Sequence, residues 1–287
     1  MIFYFYIKII MKSNRNINVL LVQYCPKFKD IESNITTLTN FLSKYKKEDN
    51  IDLIIFPEMA LTGYIFDDLS DIKPYLSYYN KGIQYEFASN LAKKLECYVF
   101  LGYPEITEDN KYYNSCMVIE PDGNSIPNYH KHFLYKDDKT WCIEGDNFGY
   151  LEITTKKGIK LKLGIGICMD INPYEFKAPW NAFEFGNFCK KKDVDLIVFL
   201  TNWNDNEKGT NNYIEIMEML NYWLERLAPI TNKGKKTKYF LAADRTGKEK
   251  TSTFIGCSCA IKISPNVEII DNFDKIKQGV LEVKLNI

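Results

Sequence analysis

Residues 16–58 read NINVLLVQYCPKFKDIESNITTLTNFLSKYKKEDNIDLIIFPE, and the fold class is decided in them. The opening NINVLLVQY is an apolar run of strand length, and Asp52 to Phe56, DLIIF, is a second and shorter one. Between them Ile31, Ile35, Leu38, Phe41, Leu42 and Tyr45 recur at the spacing of one helix face, which predicts a helix from Ile31 to Lys47. Strand, helix and strand within about forty residues make a βαβ unit, and such a unit requires a sheet with helices packed on it.

The pattern continues outward from this unit. A helix is expected over Ile83–Leu95, followed by the strand YVFLGY. The segment YNSCMVIEPDGNSIPNYHK reads as a hairpin turning at Pro121, Asp122, Gly123 and Asn124. Strands KLKLGIGIC and DLIVFL flank a helical stretch near residues 182–191, and NNYIEIMEMLNYWLERLA is an amphipathic helix. Strands resume at KYFLAAD, TFIGCSCAIKI and NVEII. Neither a repeat nor a low-complexity linker divides these elements. A single α/β sandwich domain over residues 16–287 is therefore expected, preceded by an extension over residues 1–15.

Composition narrows the function. The 37 basic residues are balanced by 37 acidic ones, so no net field draws a nucleic acid. The apolar start, MIFYFYIKIIM, falls short of the ~20 residues that span a bilayer, so no membrane partner is expected. Lys8, Lys12 and Arg15 precede the first acid, Asp30, which leaves a mitochondrial targeting reading as the alternative to a cytoplasmic one. Eight cysteines without a CxxC pair, and only His130 and His132 beside them, exclude a zinc ribbon or finger. In a long, core-rich chain those cysteines read as reduced thiols.

Three strand ends carry a reactive side chain: Glu58 in FPEMALTGY, Lys131 in NYHKHFLY and Cys168 in LGIGICMD. Side chains at strand ends can converge on a cleft. Taken singly, each has an ordinary explanation. A buried cysteine is commonly inert, a loop glutamate commonly caps a helix, and on a strand the two histidines point away from Lys131.

Taken in order, FPEMALTGY, YHK and GIGICMD, with the late block AADRTGKEKTSTFIGCSCAI, resemble the nitrilase or carbon–nitrogen hydrolase superfamily from about Asn18 onward. PEMALTGYIF, NYHKHFLY and GICMDINPYEFKAPWNAFEF are more closely similar to its branch of yeast-type protein N-terminal asparagine and glutamine amidases. The resemblance implies an α-β-β-α sandwich in which Cys168 is the nucleophile, Glu58 the general base and Lys131 the cation at the oxyanion. It also implies that the Met169 N–H assists the oxyanion, that Glu144 orients the lysine and substrate, and that no metal or organic cofactor is needed. Tyr64 and Trp203 are expected as pocket walls, with core packing as the ordinary alternative, and Asp170 stands beside the nucleophile near the substrate, where a structural role is the preferred reading. Many relatives that act on carboxylate substrates have an arginine where this chain has Asn172, so a substrate whose carboxylate has become a peptide bond is expected here. Proteins or peptides with N-terminal Asn or Gln are the implied partners, and a homodimer is compatible with the superfamily. A small-molecule amidase, ω-amidase or nitrilase and a non-catalytic interaction module stay open as alternatives.

Overall fold

Alternation within the first strand sets the layering. In β1 (Asn16–Gln23), Ile17, Val19 and Leu21 face one apolar cluster while Leu20 and Val22 face another. The computed structural model describes residues 15–205 and 212–287. The β1 strand runs into α1 (Ile31–Leu42), whose first turn is capped by the Asp30 carboxylate accepting from the Ser33 N–H at 3.1 Å. The chain returns in β2 (Leu53–Ile55), parallel to β1, which completes the expected βαβ unit. Helix α1 stops short of the predicted Lys47, and Tyr45 beyond its end is still buried, its hydroxyl donating to Glu282 at 3.3 Å.

After the short α2 (Leu69–Ile72) and α3 (Ile83–Leu95) come β3 (Tyr98–Ile106), β4 (Tyr112–Ile119) and β5 (Ser125–His130). These complete a six-stranded sheet with β14 (Gly279–Asn286) in the order β14-β1-β2-β3-β4-β5. The second half supplies β6 (Gly149–Thr154), β7 (Lys160–Ile167), α4 (Glu184–Lys192), β8 (Leu196–Thr201), α5 (Asn212–Arg226) and β9 (Lys238–Asp244). It ends with the hairpin of β10 (Thr246–Glu249) and β11 (Ser252–Ile255), then β12 (Cys259–Ser264) and β13 (Glu268–Asn272). The second sheet runs β13-β12-β9-β8-β7-β6.

One cluster built from both sheets, including Leu21, Ile55, Leu163 and Val198, forms the core between them. A second packs α1 and α3 on the first sheet, and a third packs α4 and α5 on the second. This is the four-layered sandwich, helix over sheet over sheet over helix, that the resemblance implied. One expected strand, TFIGCSCAIKI, is broken. Gly256 and Cys257 adopt φ of 68° and 65°, a corner that lets β11 pair with β10 and β12 with β9. Of the expected extension, residues 1–14 lie outside the described residues. Among the described residues no helix is long and apolar enough to cross a membrane, and no cluster of three or more His, Cys, Asp or Glu is placed to hold a metal ion.

Candidate active site

The ends of β2, β5, β7 and β8 deliver Glu58, Lys131, Cys168 and Asn202, two from each sheet. In open α/β sheets the carboxyl ends of parallel strands are where a crevice forms. Pro57 closes β2, and Met59 takes a φ of 48°, so the Glu58 turn is tight. The turn rests on β3, where a Cβ added to Gly102 would lie 2.4 Å from the Pro57 carbonyl oxygen and 2.6 Å from the Glu58 Cα.

Glu58 and Lys131 are buried against each other. Glu58 Oε1 accepts from Lys131 Nζ at 2.6 Å and from Asn114 Nδ2 at 2.7 Å, while Oε2 accepts the Asn202 backbone N–H at 3.0 Å. Three donors on two oxygens is the arrangement of an ionised carboxylate. Burial raises the proton affinity of Glu58; Lys131 pulls it back and a nearby Asp138 charge pushes it up, leaving it above the ordinary carboxylate range. Lys131 also donates to Asp138 Oδ2 at 2.6 Å. Burial opposes the lysine's charge, but Asp138 and Glu58 outweigh it and hold the ammonium protonated well beyond the usual range. The neighbouring histidines turn aside: His130 stacks on Tyr113 at 3.8 Å, and His132 Nδ1 is hydrogen-bonded to the Gly145 carbonyl at 2.6 Å.

Cys168 sits where β7 gives way to a short 3-10 turn, Cys168–Ile171, with a φ of 40° that is costly for a residue with a Cβ. Its thiol pKa is pushed well above that of free cysteine, first by burial and then by the Glu58 charge, while Lys131 draws it down. The three groups thus feel one another's charge, and the resting sulfur is a thiol with a base and a cation within electrostatic reach.

Asp170 locks this turn to the lysine loop. Its Oδ2 accepts from Tyr129 Oη at 2.6 Å and the Ile167 N–H at 2.7 Å. Its Oδ1 accepts the His132 and Phe133 N–H groups at 3.1 and 2.8 Å. Burial nevertheless raises its pKa to about 6. With both oxygens engaged, Asp170 is placed to hold the turn together and does not face the substrate space.

Next to Cys168 opens a cavity of about 360 Å³ whose walls include Tyr64, Met169, Asn172, Asn202 and Trp203. Tyr64 stands with its ring centroid 5.8 Å from Lys131 Nζ. Asn172 Oδ1 accepts from Tyr222 Oη at 2.5 Å, so an uncharged amide and phenol pair on this wall. The expectation that Glu144 orients the lysine is corrected. Glu144 is exposed and its Oε2 accepts from Tyr174 Oη at 3.3 Å, whereas Lys131 is steadied by Asp138. Asp138 also accepts from Asn114 Nδ2 at 2.9 Å and the Tyr135 N–H at 2.9 Å. Sequence reasoning passed over Asp138, Asn114 and Asn202. Only Asp138 left a trace there, as one of two adjacent acids soon after the lysine.

Residues 18–287 match the carbon–nitrogen hydrolase family. The chain belongs to that family. As a carbon–nitrogen hydrolase it is similar to the protein N-terminal amidase of Schizosaccharomyces pombe, 32% identical over 280 residues that cover 91% of this chain and 96% of that protein. The protein N-terminal amidase of Saccharomyces cerevisiae is 36% identical over 205 residues, 66% of this chain, and the match spans 45% of that longer protein. Among solved structures, an N-terminal amidase crystallised with an Asn-Glu peptide superposes with a TM-score of 0.80 at 23% identity, covering 94% of this chain and 98% of that one. That likeness fixes the hydrolase fold.

Proposed function

We propose that this carbon–nitrogen hydrolase deamidates the side chain of an N-terminal Asn or Gln of a protein or peptide, giving Asp or Glu and ammonia. The observation that carries the reading is the amide wall beside the nucleophile. Asn172, engaged by Tyr222, offers no bidentate partner to a substrate carboxylate, whereas a peptide bond at that position needs none. Similarity to an N-terminal amidase along nearly the whole chain supports the same substrate class.

In the proposed reaction Glu58 takes the Cys168 proton as the sulfur bonds to the amide carbon, and the carbonyl π pair moves onto oxygen. Lys131 and the Met169 N–H hold that oxyanion; one such donor is typically worth ~3–4 kcal/mol. The carbon–nitrogen bond then breaks as Glu58 protonates the departing ammonia, leaving a thioester. Water, deprotonated by Glu58, attacks the thioester, and the carbon–sulfur pair returns to sulfur with the proton. Ammonia release from Asn-Xaa, Gln-Xaa, N-acetyl-Asn-Xaa and Xaa-Asn peptides tests the proposal. Turnover of the first two alone is expected, and equal kcat/KM for the acetylated peptide would overturn it in favour of a general amidase.

A further inference from the structure

Arg226, the last residue of α5, is buried, and the proposed reaction gives it no part. Its guanidinium is directed mainly at backbone. Nε donates to the Ile171 carbonyl at 2.8 Å, Nη1 to the Trp180 carbonyl, and Nη2 to Glu184 Oε2 at 3.1 Å. Ile171 ends the short turn that begins at the nucleophile. One helical turn earlier on the same face of α5, Tyr222 donates to the side chain of the next residue, Asn172. Two side chains of one helix thus grip two consecutive residues just beyond Cys168, while Asp170 ties the same turn to the lysine loop.

The gripped segment is strained. Cys168 has a φ of 40°, and Glu175, Phe176 and Phe183 follow at 53°, 57° and 44°. Such conformations persist in residues with a Cβ only where the surrounding structure over-determines them. A buried ion pair adds little net stability, because desolvation offsets the attraction, so stability alone does not account for a guanidinium here. We infer that Arg226 is a positioning residue for the reaction: by fixing the Ile171 carbonyl it sets the nucleophile turn and with it the direction of the Met169 N–H that serves the oxyanion. The thiol is placed separately by β7, whose Ile167 pairs with Leu200 of β8. The inference rests on the proposed reaction and adds to it a residue outside the cavity lining.

The test is Arg226→Lys, which keeps the charge but replaces a planar fork with one ammonium that cannot serve Ile171, Trp180 and Glu184 together. Displacing a group at the reacting centre by about 1 Å can cost about a hundredfold. For ammonia release from an Asn-Xaa peptide, kcat should therefore fall at least about tenfold while KM stays within about threefold. Alkylation of Cys168 by iodoacetamide forms no oxyanion, so its rate should stay within about threefold of the parent, whereas a general loosening of the site would lower both. Glu184→Gln leaves the Ile171 bond in place and should keep kcat within about threefold. If Arg226→Lys melts below the assay temperature, Arg226→Gln, which removes the buried charge and can donate to only some of the three acceptors, carries the same expectations. Parental kcat, a loss confined to KM, an alkylation rate that falls in step with kcat, or an equal loss in Glu184→Gln overturns this inference and leaves the N-terminal reading standing. A parent that releases no ammonia from the Asn-Xaa peptide overturns both.

Discussion

Replacing Asp138 by asparagine separates the site seen in the structure from the one implied by family resemblance. The substitution preserves shape but removes a charge that Lys131 meets at 2.6 Å. It also upsets Asn114, whose Nδ2 now donates to Asp138 Oδ1 at 2.9 Å and Glu58 Oε1 at 2.7 Å. With the new amide turned to accept from Lys131 and the Tyr135 N–H, its NH2 faces the NH2 of Asn114. Rotating Asn114 relieves that clash only by setting its oxygen against Glu58. A hydrogen bond to a charged group contributes about 1.5–3 kcal/mol. If that is lost in the transition state, kcat/KM for ammonia release falls roughly 10- to 150-fold, at about 1.4 kcal/mol per decade. The control is Glu144→Gln, which alters an exposed acid whose contact is with Tyr174, and it should stay within about twofold of the parent. Both variants are assayed on the same Asn-Xaa peptide alongside thermal melting. A tenfold loss in Glu144→Gln with near-parental Asp138→Asn would refute this account of how the lysine is held.

Three further outcomes are expected. Because Glu58 must be ionised to accept the thiol proton and its pKa is raised by burial, kcat/KM should fail with acidification at a pH above the ~4.3 of a free glutamate; an acid limb at or below that value counts against Glu58 as the base. Since the Cys168 thiol is held above the free-cysteine range, its alkylation by iodoacetamide needs a proton acceptor, and Glu58→Gln, whose loss of that acceptor outweighs the relief of its charge on the thiol, should slow labelling of Cys168 at least about tenfold, read by peptide mass spectrometry. Gly102→Ala forces a methyl into the backbone of the Glu58 turn and should cost about 1–3 kcal/mol in denaturant unfolding while lowering kcat; a variant unchanged in both would show that the turn has room to move.

The sequence showed most clearly what depends on periodicity and local chain geometry. The βαβ unit, α3 over Ile83–Leu95 and the hairpin at Pro121–Asn124 were readable because strand and helix periods and turn residues are local properties. β14 was passed over although Leu281, Val283 and Leu285 alternate with Glu282, Lys284 and Asn286 at a strand's period; what the sequence does not encode is its pairing with β1, which joins residues at opposite ends of the chain. Glu58, Lys131 and Cys168 were legible through motifs in order, but their supports were not. Asp138 reaches Lys131, and Asn202 reaches Glu58, through contacts that spacing does not encode. Asp170 illustrates the structural reading preferred over a substrate contact: adjacency to the nucleophile says nothing of direction, and four donors claim its oxygens.

That Glu58 and Lys131 stand on one sheet and Cys168 on the other makes the reacting geometry an optical gauge of how the two sheets slide past each other. The Asn202 N–H on Glu58 and the Asp170 carboxylate between the lysine and cysteine loops are two of the tie-bars across that seam. Trimming a methyl from the shared core, at Ile55 or Val198 for instance, leaves every catalytic group in place but loosens the bearing on which they are aligned. Turnover in this enzyme should then fade at temperatures where spectroscopic probes still report a folded chain, and its working limit would be set by shear between layers before melting of either one.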